Sequence, residues 1–235
     1  MALRLFLDSA DRDDWQTWLP TGLFHGVTTN PSLLRRAGVS CDWPSLAELC
    51  AQALAAGCRE LHLQTWGSRA AVLVERGQAL EALAPGQVVV KVPVTQEGAV
   101  AARALITAGI PVTFTACYEV QQVLVAAALG AGYIAPYLGR ISDLGRNGRA
   151  EIIAMQQALQ GLGSSTRLLV ASVREPMELA ALAAAGLNTF TISAAVAGGL
   201  FSSAATAAAA EAFEQDAAAS LAEASVPAST EMACP

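Results

Sequence analysis

The sequence contains few charged and few aromatic residues. Of its 235 residues, 14% are charged and 6% are aromatic, whereas 54% are hydrophobic. This apolar content excludes a disordered chain and is enough for one sizeable core. The formal net charge of −6 at pH 7 excludes the basic surface that nucleic-acid binding requires, so no nucleic-acid partner is expected.

Residues that bind metals or form disulfides are also scarce. The sequence has two histidines and five cysteines, and none of the cysteines belongs to a C-x-x-C pair. The odd number of cysteines gives no support for a disulfide framework, and the residue spacing gives none for a zinc site. We therefore predict a cytoplasmic protein without a bound metal.

Lysine is almost absent, since the sequence has 13 arginines and one lysine, Lys91. Lys91 interrupts the apolar segment Gln-Val-Val-Val-Lys-Val-Pro-Val at 87–94, where a charge is costly to bury. It can be interpreted as a side chain that reaches solvent from a strand end. It can also be interpreted as a reactive amine, because a desolvated lysine loses its proton and attacks a carbonyl, whereas a guanidinium stays charged.

Short apolar segments alternate along the chain with segments of helical composition. The predicted strands are Leu3–Asp8, Leu23–Thr28, Glu60–Gln64, Val88–Val92, Pro111–Thr115, Tyr133–Ala135, Leu168–Ser172 and Thr189–Ile192. The predicted helices are Pro44–Ala56, Arg69–Leu83, Gly98–Ala108, Tyr118–Leu129, Ala150–Leu162 and Pro176–Ala185. Eight alternating units in this length favour α/β architecture as a single closed (β/α)₈ TIM barrel. An open doubly wound sheet is the alternative, but no G-x-G-x-x-G motif follows a strand near the N-terminus.

One long uncharged segment and the C-terminal end bear on domain organisation. No charged residue occurs between Leu179 and Ala210, but glycine, asparagine, serine and threonine interrupt this segment. It therefore fits a buried helix–strand–helix of the barrel better than a membrane span. After Asp216 the composition changes to Ala, Ser, Glu and Pro. We predict one barrel domain with a C-terminal helix over 1–216, a mobile tail over 217–235, and no membrane contact.

In a parallel barrel, functional side chains come from the carboxyl ends of the strands. The polar residues at or just after the predicted strand ends are Asp8, Asn30, Gln64, Lys91, Thr115, Tyr137, Arg140, Ser172 and Arg174. Ordinary structural alternatives are a helix cap for Asp8 and Asn30, a surface pair for Tyr137 and Arg140, and hydrogen bonds to loop backbone for the others. The convergence of these residues at one end of the sheet nevertheless indicates a functional site.

A lysine in an apolar pocket, with a carboxylate and a phenol nearby, suits Schiff-base chemistry. The neutral amine attacks a ketone, and the resulting iminium accepts electrons when the neighbouring C–C bond breaks. Asp8 or Tyr137 can take the proton that leaves the hydroxyl group on the far carbon. Arg140, Ser172 and Arg174 can bind a phosphate. The sequence therefore predicts a lyase or transferase for a phosphorylated keto sugar that needs no metal or organic cofactor.

Five segments together resemble the transaldolase family, especially its small members, which include the fructose-6-phosphate aldolases. They are Leu-Phe-Leu-Asp-Ser-Ala (5–10), Gly-Val-Thr-Thr-Asn-Pro-Ser (26–32), Val-Val-Val-Lys-Val-Pro-Val-Thr (88–95), Ala-Pro-Tyr-Leu-Gly-Arg-Ile (135–141) and Ala-Ser-Val-Arg-Glu-Pro (171–176). The segment Phe-Glu-Gln-Asp (213–216) also resembles the C-terminal helix of the aldolases.

The resemblance implies a role for each residue. Lys91 would form the Schiff base and Asp8 would assist proton transfer. Asn30 and Thr115 would hold the dihydroxyacetone portion, whereas Arg140, Ser172 and Arg174 would hold the phosphate of the sugar. The resemblance further implies a (β/α)₈ barrel that forms a homo-oligomer, a pentamer or a decamer, with the C-terminal helix reaching a neighbouring subunit.

Two activities occur in the family. Transaldolases typically carry a glutamate on strand 3 and a phenylalanine after strand 6, whereas aldolases carry the glutamine and tyrosine found here as Gln64 and Tyr137. Gly139, Asp143 and Arg174, in contrast, resemble the small transaldolases. Because a tyrosine hydroxyl can supply a proton and a phenylalanine cannot, the sequence favours fructose-6-phosphate aldolase activity over transaldolase activity.

A third possibility is a barrel without catalytic activity. Such a protein would bind phosphosugars through Arg140 and Ser172 alone. The retention of the sole lysine within the strand-4 segment argues against this interpretation.

Overall fold

Eight parallel strands, each followed by at least one helix, build the first of two units into which the chain separates between Gly199 and Leu200. The computed structural model describes residues 2–224. The strands are β1 Arg4–Asp8, β2 Phe24–Thr28, β3 Leu61–Gln64, β4 Val88–Pro93, β5 Val112–Cys117, β6 Tyr133–Pro136, β7 Arg167–Leu168 and β8 Thr189–Ile192. Strands adjacent in sequence pair from β1 to β7, and β8 pairs with β1. The predicted (β/α)₈ barrel is confirmed.

The barrel closes through the residues that follow β7. Regular pairing ends at Leu168, so β7 is shorter than the predicted strand Leu168–Ser172. Beyond it, the N–H of Val170 donates to the Thr189 carbonyl at 3.0 Å, and the Val170 carbonyl accepts from the Thr191 N–H at 2.9 Å. These bonds join the β7 segment to β8. The predicted strand is correct in position, but its second half bonds to its neighbours only at single positions and forms no continuous ladder.

Ten helices of the described residues belong to the first unit. They are α1 Arg12–Trp18, α2 Pro31–Arg36, α3 Trp43–Ala55, α4 Ala70–Glu81, α5 Gln96–Thr107, α6 Val123–Leu129, α7 Leu138–Asp143, α8 Gly148–Gly161, α9 Pro176–Ala184 and α10 Ala194–Gly199. The helix predicted over Tyr118–Leu129 starts later as α6, because the Gln122 side chain accepts the backbone N–H groups of Tyr118 and Glu119. Four short helices were not among the predicted ones: α1, α2, α7 and α10. Six or seven residues carry too little periodicity to be recognised.

The alternation of side chains along β4 determines where Lys91 points. Three valines belong to the core between strands and helices: Val88, Val90 and Val92. Val89 instead packs in a separate cluster with Phe6 inside the barrel. Because successive side chains of a strand point to opposite faces, Lys91 shares the inward face with Val89.

Both histidines contact one carboxylate near the N-terminal ends of β2 and β3. The ring Nε2 of the fully buried His62 lies 2.8 Å from Oε1 of Glu60, and its Nδ1 lies 2.9 Å from Oγ1 of Thr113. The Nε2 of His25 lies 3.5 Å from the other oxygen of Glu60. The buried polar groups at this end of the barrel therefore satisfy one another.

The second unit contains the helix α11, Ala204–Ala224, whose side chains are exposed as far as the structure describes them. This helix agrees with the predicted C-terminal helix. The predicted boundary after Asp216 falls inside it, so residues 217–224 continue α11 and do not form a separate tail. The rest of the predicted tail, 225–235, lies outside the described residues. Over residues 2–224, no helix is long and apolar enough to cross a membrane.

Candidate active site

A cavity of about 190 Å³ opens at the carboxyl ends of the barrel strands. Six of the nine predicted site residues line it: Asp8, Asn30, Lys91, Tyr137, Arg140 and Ser172. They come from four different strand ends and from the first turns of α2 and α7. The barrel thus brings together residues that are far apart in sequence, as expected for this fold.

Lys91 is the most buried charged residue of the cavity, with 4% of its surface exposed. Its Nζ donates a hydrogen bond to the Thr29 carbonyl at 2.7 Å. Burial lowers the pKa of Lys91 below its ordinary value, and the charge of Asp8 opposes this shift only in part. The interpretation of Lys91 as a side chain that reaches solvent is therefore wrong. An amine with a lowered pKa is more often neutral and can attack a carbonyl.

Asp8 is held in place by threonines at the ends of neighbouring strands. Thr28 Oγ1 lies 2.6 Å from Asp8 Oδ1 and also 2.6 Å from Thr191 Oγ1. The helix that follows β1 is capped by Asp11, whose side chain accepts the N–H of Asp13. The helix-cap alternative for Asp8 is therefore wrong, and its carboxylate is available at the cavity wall.

Tyr137 lines the cavity with its hydroxyl bonded to a buried partner. The Tyr137 hydroxyl lies 2.8 Å from Oγ1 of Thr115, which is 1% exposed. Thr115 itself does not line the cavity. Its contact with Tyr137 fixes the direction of the phenol, and its predicted role in holding the dihydroxyacetone portion stays a prediction.

Asn30 caps α2 and lines the cavity at the same time. Its Oδ1 accepts the backbone N–H groups of Ser32 and Leu33, each at 3.0 Å. This leaves the side-chain amino group to donate to a ligand in the cavity. The structural and the functional interpretations of Asn30 are therefore compatible.

The guanidinium of Arg140 lies over a ring of the cavity wall. Its central carbon is 5.0 Å from the centre of the Tyr137 ring, and Nη1 lies 3.4 Å from the Tyr118 hydroxyl. The hydrogen bond that Arg140 donates to the Tyr118 hydroxyl raises the pKa of Arg140 above its ordinary value. These contacts of Arg140 are to two tyrosine side chains and not to a carboxylate, so its guanidinium can still bind an anion.

Ser172 reaches the cavity through an unusual backbone conformation. Its φ angle is +58°, and only Ala116 shares a positive value among the described residues other than glycine. A side chain in this region of conformational space is strained, and such strain clusters at functional sites. The turn at Ser172 follows the β7 segment and places this residue at the cavity wall.

Gln64 and Arg174 do not line the cavity in this structure. Gln64 is half-buried and pairs in register with Lys91 on the adjacent strand. Arg174 is exposed and binds Asp143 through both of its terminal nitrogens. Gln64 thus lies at the same end of the sheet as Lys91, and the predicted roles of Gln64 and Arg174 stay predictions.

Residues that were not predicted also line the cavity, among them Thr191 and Arg36. Thr191, on β8, lines the cavity and is bonded to Thr28. Alternation in the segment Thr-Phe-Thr-Ile could have revealed it as an inward-facing polar residue. Arg36 reaches the cavity from the last turn of α2, and nothing in the spacing of a helix too short to be predicted could have identified it.

The next question is whether the described residues contain a metal site or reactive cysteine thiols. Within residues 2–224, no group of three histidine, cysteine, aspartate or glutamate side chains could hold a metal ion. Cys50 and Cys58 are free and buried, and desolvation raises the pKa of each thiol to about 11. These thiols are therefore protonated at neutral pH.

The fold and the cavity define a (β/α)₈ barrel with a buried lysine at the carboxyl ends of its strands. Residues 5–232 match the family described as Transaldolase/Fructose-6-phosphate aldolase. A probable transaldolase from Lactiplantibacillus plantarum is 33% identical over 214 residues, which cover 91% of this chain and 96% of that protein. One from Hyphomonas neptunium is 34% identical over 215 residues, with 92% and 97% covered. The chain belongs to this family and is an enzyme of the transaldolase type.

Solved structures support the fold. A protein from Burkholderia cenocepacia described as a candidate phosphonomutase aligns with a TM-score of 0.61. The alignment covers 91% of this chain and 94% of that one at 16% sequence identity. At this identity the likeness concerns the barrel architecture and not the reaction.

Proposed function

We propose that the protein is a class I aldolase that cleaves fructose 6-phosphate through a Schiff base on Lys91. The single observation that carries this proposal is the buried amine of Lys91, which shares one cavity with the carboxylate of Asp8 and the phenol of Tyr137. The lowered pKa of Lys91 supports it, because only the neutral amine attacks a ketone.

The proposed reaction follows from these three side chains. Lys91 attacks the C2 carbonyl of the sugar, and loss of water gives an iminium. Asp8 takes the proton of the C4 hydroxyl, the C3–C4 bond breaks, and its electrons move to the iminium as glyceraldehyde 3-phosphate leaves. Tyr137 then supplies a proton to C3 and regains one from the carboxyl group of Asp8, and water releases dihydroxyacetone and restores the amine.

The two ends of the sugar meet different parts of the cavity in this proposal. Asn30 donates to the hydroxyl groups of the dihydroxyacetone portion, because the helix cap uses only its side-chain oxygen and not its amino group. Arg140 and Ser172 bind the phosphate, because a planar guanidinium and a hydroxyl match phosphate oxygens. Arg174 would join them once it leaves Asp143. Gln64 lies beside Lys91 in the sheet and would orient water.

A second candidate is transaldolase activity, the transfer of the dihydroxyacetone unit to erythrose 4-phosphate as in the pentose phosphate pathway. The names of the relatives favour it, and so do Gly139, Asp143 and Arg174, which resemble the small transaldolases. The hydrogen bond between Thr115 and Tyr137 favours the aldolase, because it positions a proton donor at the cavity. The third candidate, a barrel without catalytic activity, leaves the burial of Lys91 unexplained.

The deciding experiment measures glyceraldehyde 3-phosphate release from fructose 6-phosphate by the purified protein, with and without erythrose 4-phosphate. Release without the acceptor supports the aldolase. Release only with the acceptor supports the transaldolase and contradicts the aldolase activity that we infer from Gln64 and Tyr137. Lack of release in both assays contradicts both catalytic candidates.

Assembly and location stay predictions from the resemblance and the composition. We propose a cytoplasmic homo-oligomer, a pentamer or decamer, in which α11 reaches a neighbouring subunit. The exposure of α11, including 70% of Phe213, supports such a contact. Light scattering of the intact chain measures the number of subunits, and a monomer would contradict this proposal.

A further inference from the structure

Gly139 leaves space that the Arg174 side chain occupies. A Cβ atom at position 139 would lie 2.8 Å from Nε of Arg174 and 2.6 Å from the carbonyl oxygen of Ser172. The N–H of Gly139 also donates to that carbonyl at 2.9 Å. Arg174 therefore lies directly against the first turn of α7, next to the backbone of Ser172, and only a glycine fits there.

The guanidinium of Arg174 forms a two-pronged ion pair with Asp143. Nη1 donates to Oδ1 at 2.7 Å, and Nη2 donates to Oδ2. The hydrogen bond from Arg174 lowers the pKa of Asp143, so the carboxylate is charged at neutral pH. Both side chains are exposed, at 57% and 52% of their surface. Water therefore weakens the pair, and a stronger anion can displace the carboxylate.

The ion pair stands beside the proposed phosphate end of the catalytic cavity. Ser172 lines this cavity and also lines a neighbouring one, which Arg174 borders. Asp143 follows Arg140 by three residues on α7, and the charge of Arg140 also lowers the pKa of Asp143. The carboxylate thus binds one guanidinium and interacts electrostatically with another, and both guanidiniums can bind phosphate.

We propose that Asp143 is a specificity-determining residue, which competes with the substrate phosphate for Arg174. This inference rests on the proposed function. Without substrate, the carboxylate binds the guanidinium with the two-pronged geometry that a phosphate would use. A phosphorylated sugar must break this pair to gain Arg174, whereas an unphosphorylated sugar leaves it intact. Asp143 therefore reduces the preference for phosphorylated substrates.

The test is Asp143→Asn, which keeps the shape of the side chain and removes its charge. We expect the KM for fructose 6-phosphate and the inhibition constant of inorganic phosphate to fall by about two- to fivefold, the range of an exposed ion pair. The KM for unphosphorylated fructose should stay constant. In an Arg174→Gln background the same change should have a smaller effect on phosphate affinity, because only the interaction of the Asp143 charge with Arg140 then remains.

The matched control is Glu48→Gln, which removes the carboxylate from the similarly exposed pair with Arg12, far along the chain from α7. It should change neither constant. An unchanged or raised constant for phosphate in Asp143→Asn would overturn the inference, since Asp143 would then merely support Arg174. Asp143→Ser provides a second variant should the first fold poorly. Direct calorimetric binding of inorganic phosphate needs no turnover, so this inference can fail or hold independently of the proposed reaction.

Discussion

At the residue scale, the hydroxyl of Tyr137 separates the two candidate activities. Tyr137→Phe removes this hydroxyl and its hydrogen bond with Thr115, while the ring under Arg140 remains. Without the proton donor, C3 of the dihydroxyacetone unit held on Lys91 stays unprotonated for longer. We expect cleavage of fructose 6-phosphate to fall by about tenfold or more, and transfer to erythrose 4-phosphate to rise relative to cleavage. Product analysis with and without acceptor measures this ratio.

The control for this change is Tyr118→Phe. Tyr118 packs edge-on against Tyr137 and contacts Arg140, but it does not line the cavity. Its loss should leave the ratio of transfer to cleavage constant. An equal ratio in Tyr137→Phe and the unaltered enzyme would refute the assigned role of the phenol.

At the element scale, the start of α2 couples stability to binding. Asn30→Ala removes a side chain that accepts two backbone N–H groups, and we expect it to lower the free energy of unfolding by about 1 kcal/mol. It also removes an amide from the cavity. We therefore expect kcat/KM for fructose 6-phosphate to fall by roughly tenfold or more. Denaturant unfolding and steady-state kinetics measure the two effects.

Another helix cap provides the comparison for Asn30. Asp42 caps α3 by accepting the N–H of Ser45 at 2.8 Å, and it does not line the catalytic cavity. Asp42→Ala should cost a similar free energy of unfolding and leave kcat/KM unchanged. If both variants lost activity in proportion to stability, the cap of α2 would have no separate function in binding.

Helices and strands differ in how well the sequence predicts them. The prediction of Val88–Val92 agrees closely with β4, because a buried strand of a parallel sheet is continuously apolar. The β7 segment is less regular than predicted, since its pairing depends on two neighbouring strands and on the backbone turn at Ser172. The helices α2 and α7 were not predicted, because a six-residue helix has fewer than two full turns.

The site residues at the carboxyl ends of the barrel strands were predictable from the sequence. Asp8, Lys91 and Tyr137 were found because parallel strands place the residues near their carboxyl ends at one face of the barrel, where the cavity lies. The pairing of Arg174 with Asp143 was not predictable, because it is a contact across 31 residues whose geometry depends on the packing of α7. Arg36 was missed for a similar reason, since it enters the cavity from the end of a helix.

At the scale of the whole molecule, the buried histidine makes the barrel sensitive to acid. Burial lowers the pKa of His62, so the ring is neutral in the fold and becomes protonated more readily on unfolding. The resulting stability is fully present above pH 6.5 and is lost as the pH falls below that value. We expect the free energy of unfolding to decrease by as much as about 1.4 kcal/mol per pH unit for this one proton.

Denaturant unfolding between pH 7 and pH 5 measures this dependence. Burial alone would raise the pKa of Glu60, but hydrogen bonds from His62 and Tyr133 and nearby charges lower it to about 2, so Glu60 contributes only below about pH 4.5. His62→Phe should make the decrease less steep, and the ring still fits against Phe6 and Tyr133. His25, whose pKa burial also lowers, accounts for a remaining dependence. An equally steep decrease in this variant would contradict the assignment to His62.

The central claim is that Lys91 carries the substrate, and its most direct test is trapping with borohydride. The purified enzyme is incubated with dihydroxyacetone, reduced, digested and analysed by mass spectrometry. Since the sequence has one lysine, only one ε-amine can react. We predict a reduced dihydroxyacetone adduct on Lys91. In Lys91→Arg, which keeps the positive charge, we predict no adduct and a loss of cleavage of about a thousandfold or more. An unmodified Lys91, or cleavage that survives in Lys91→Arg, would contradict the Schiff-base account.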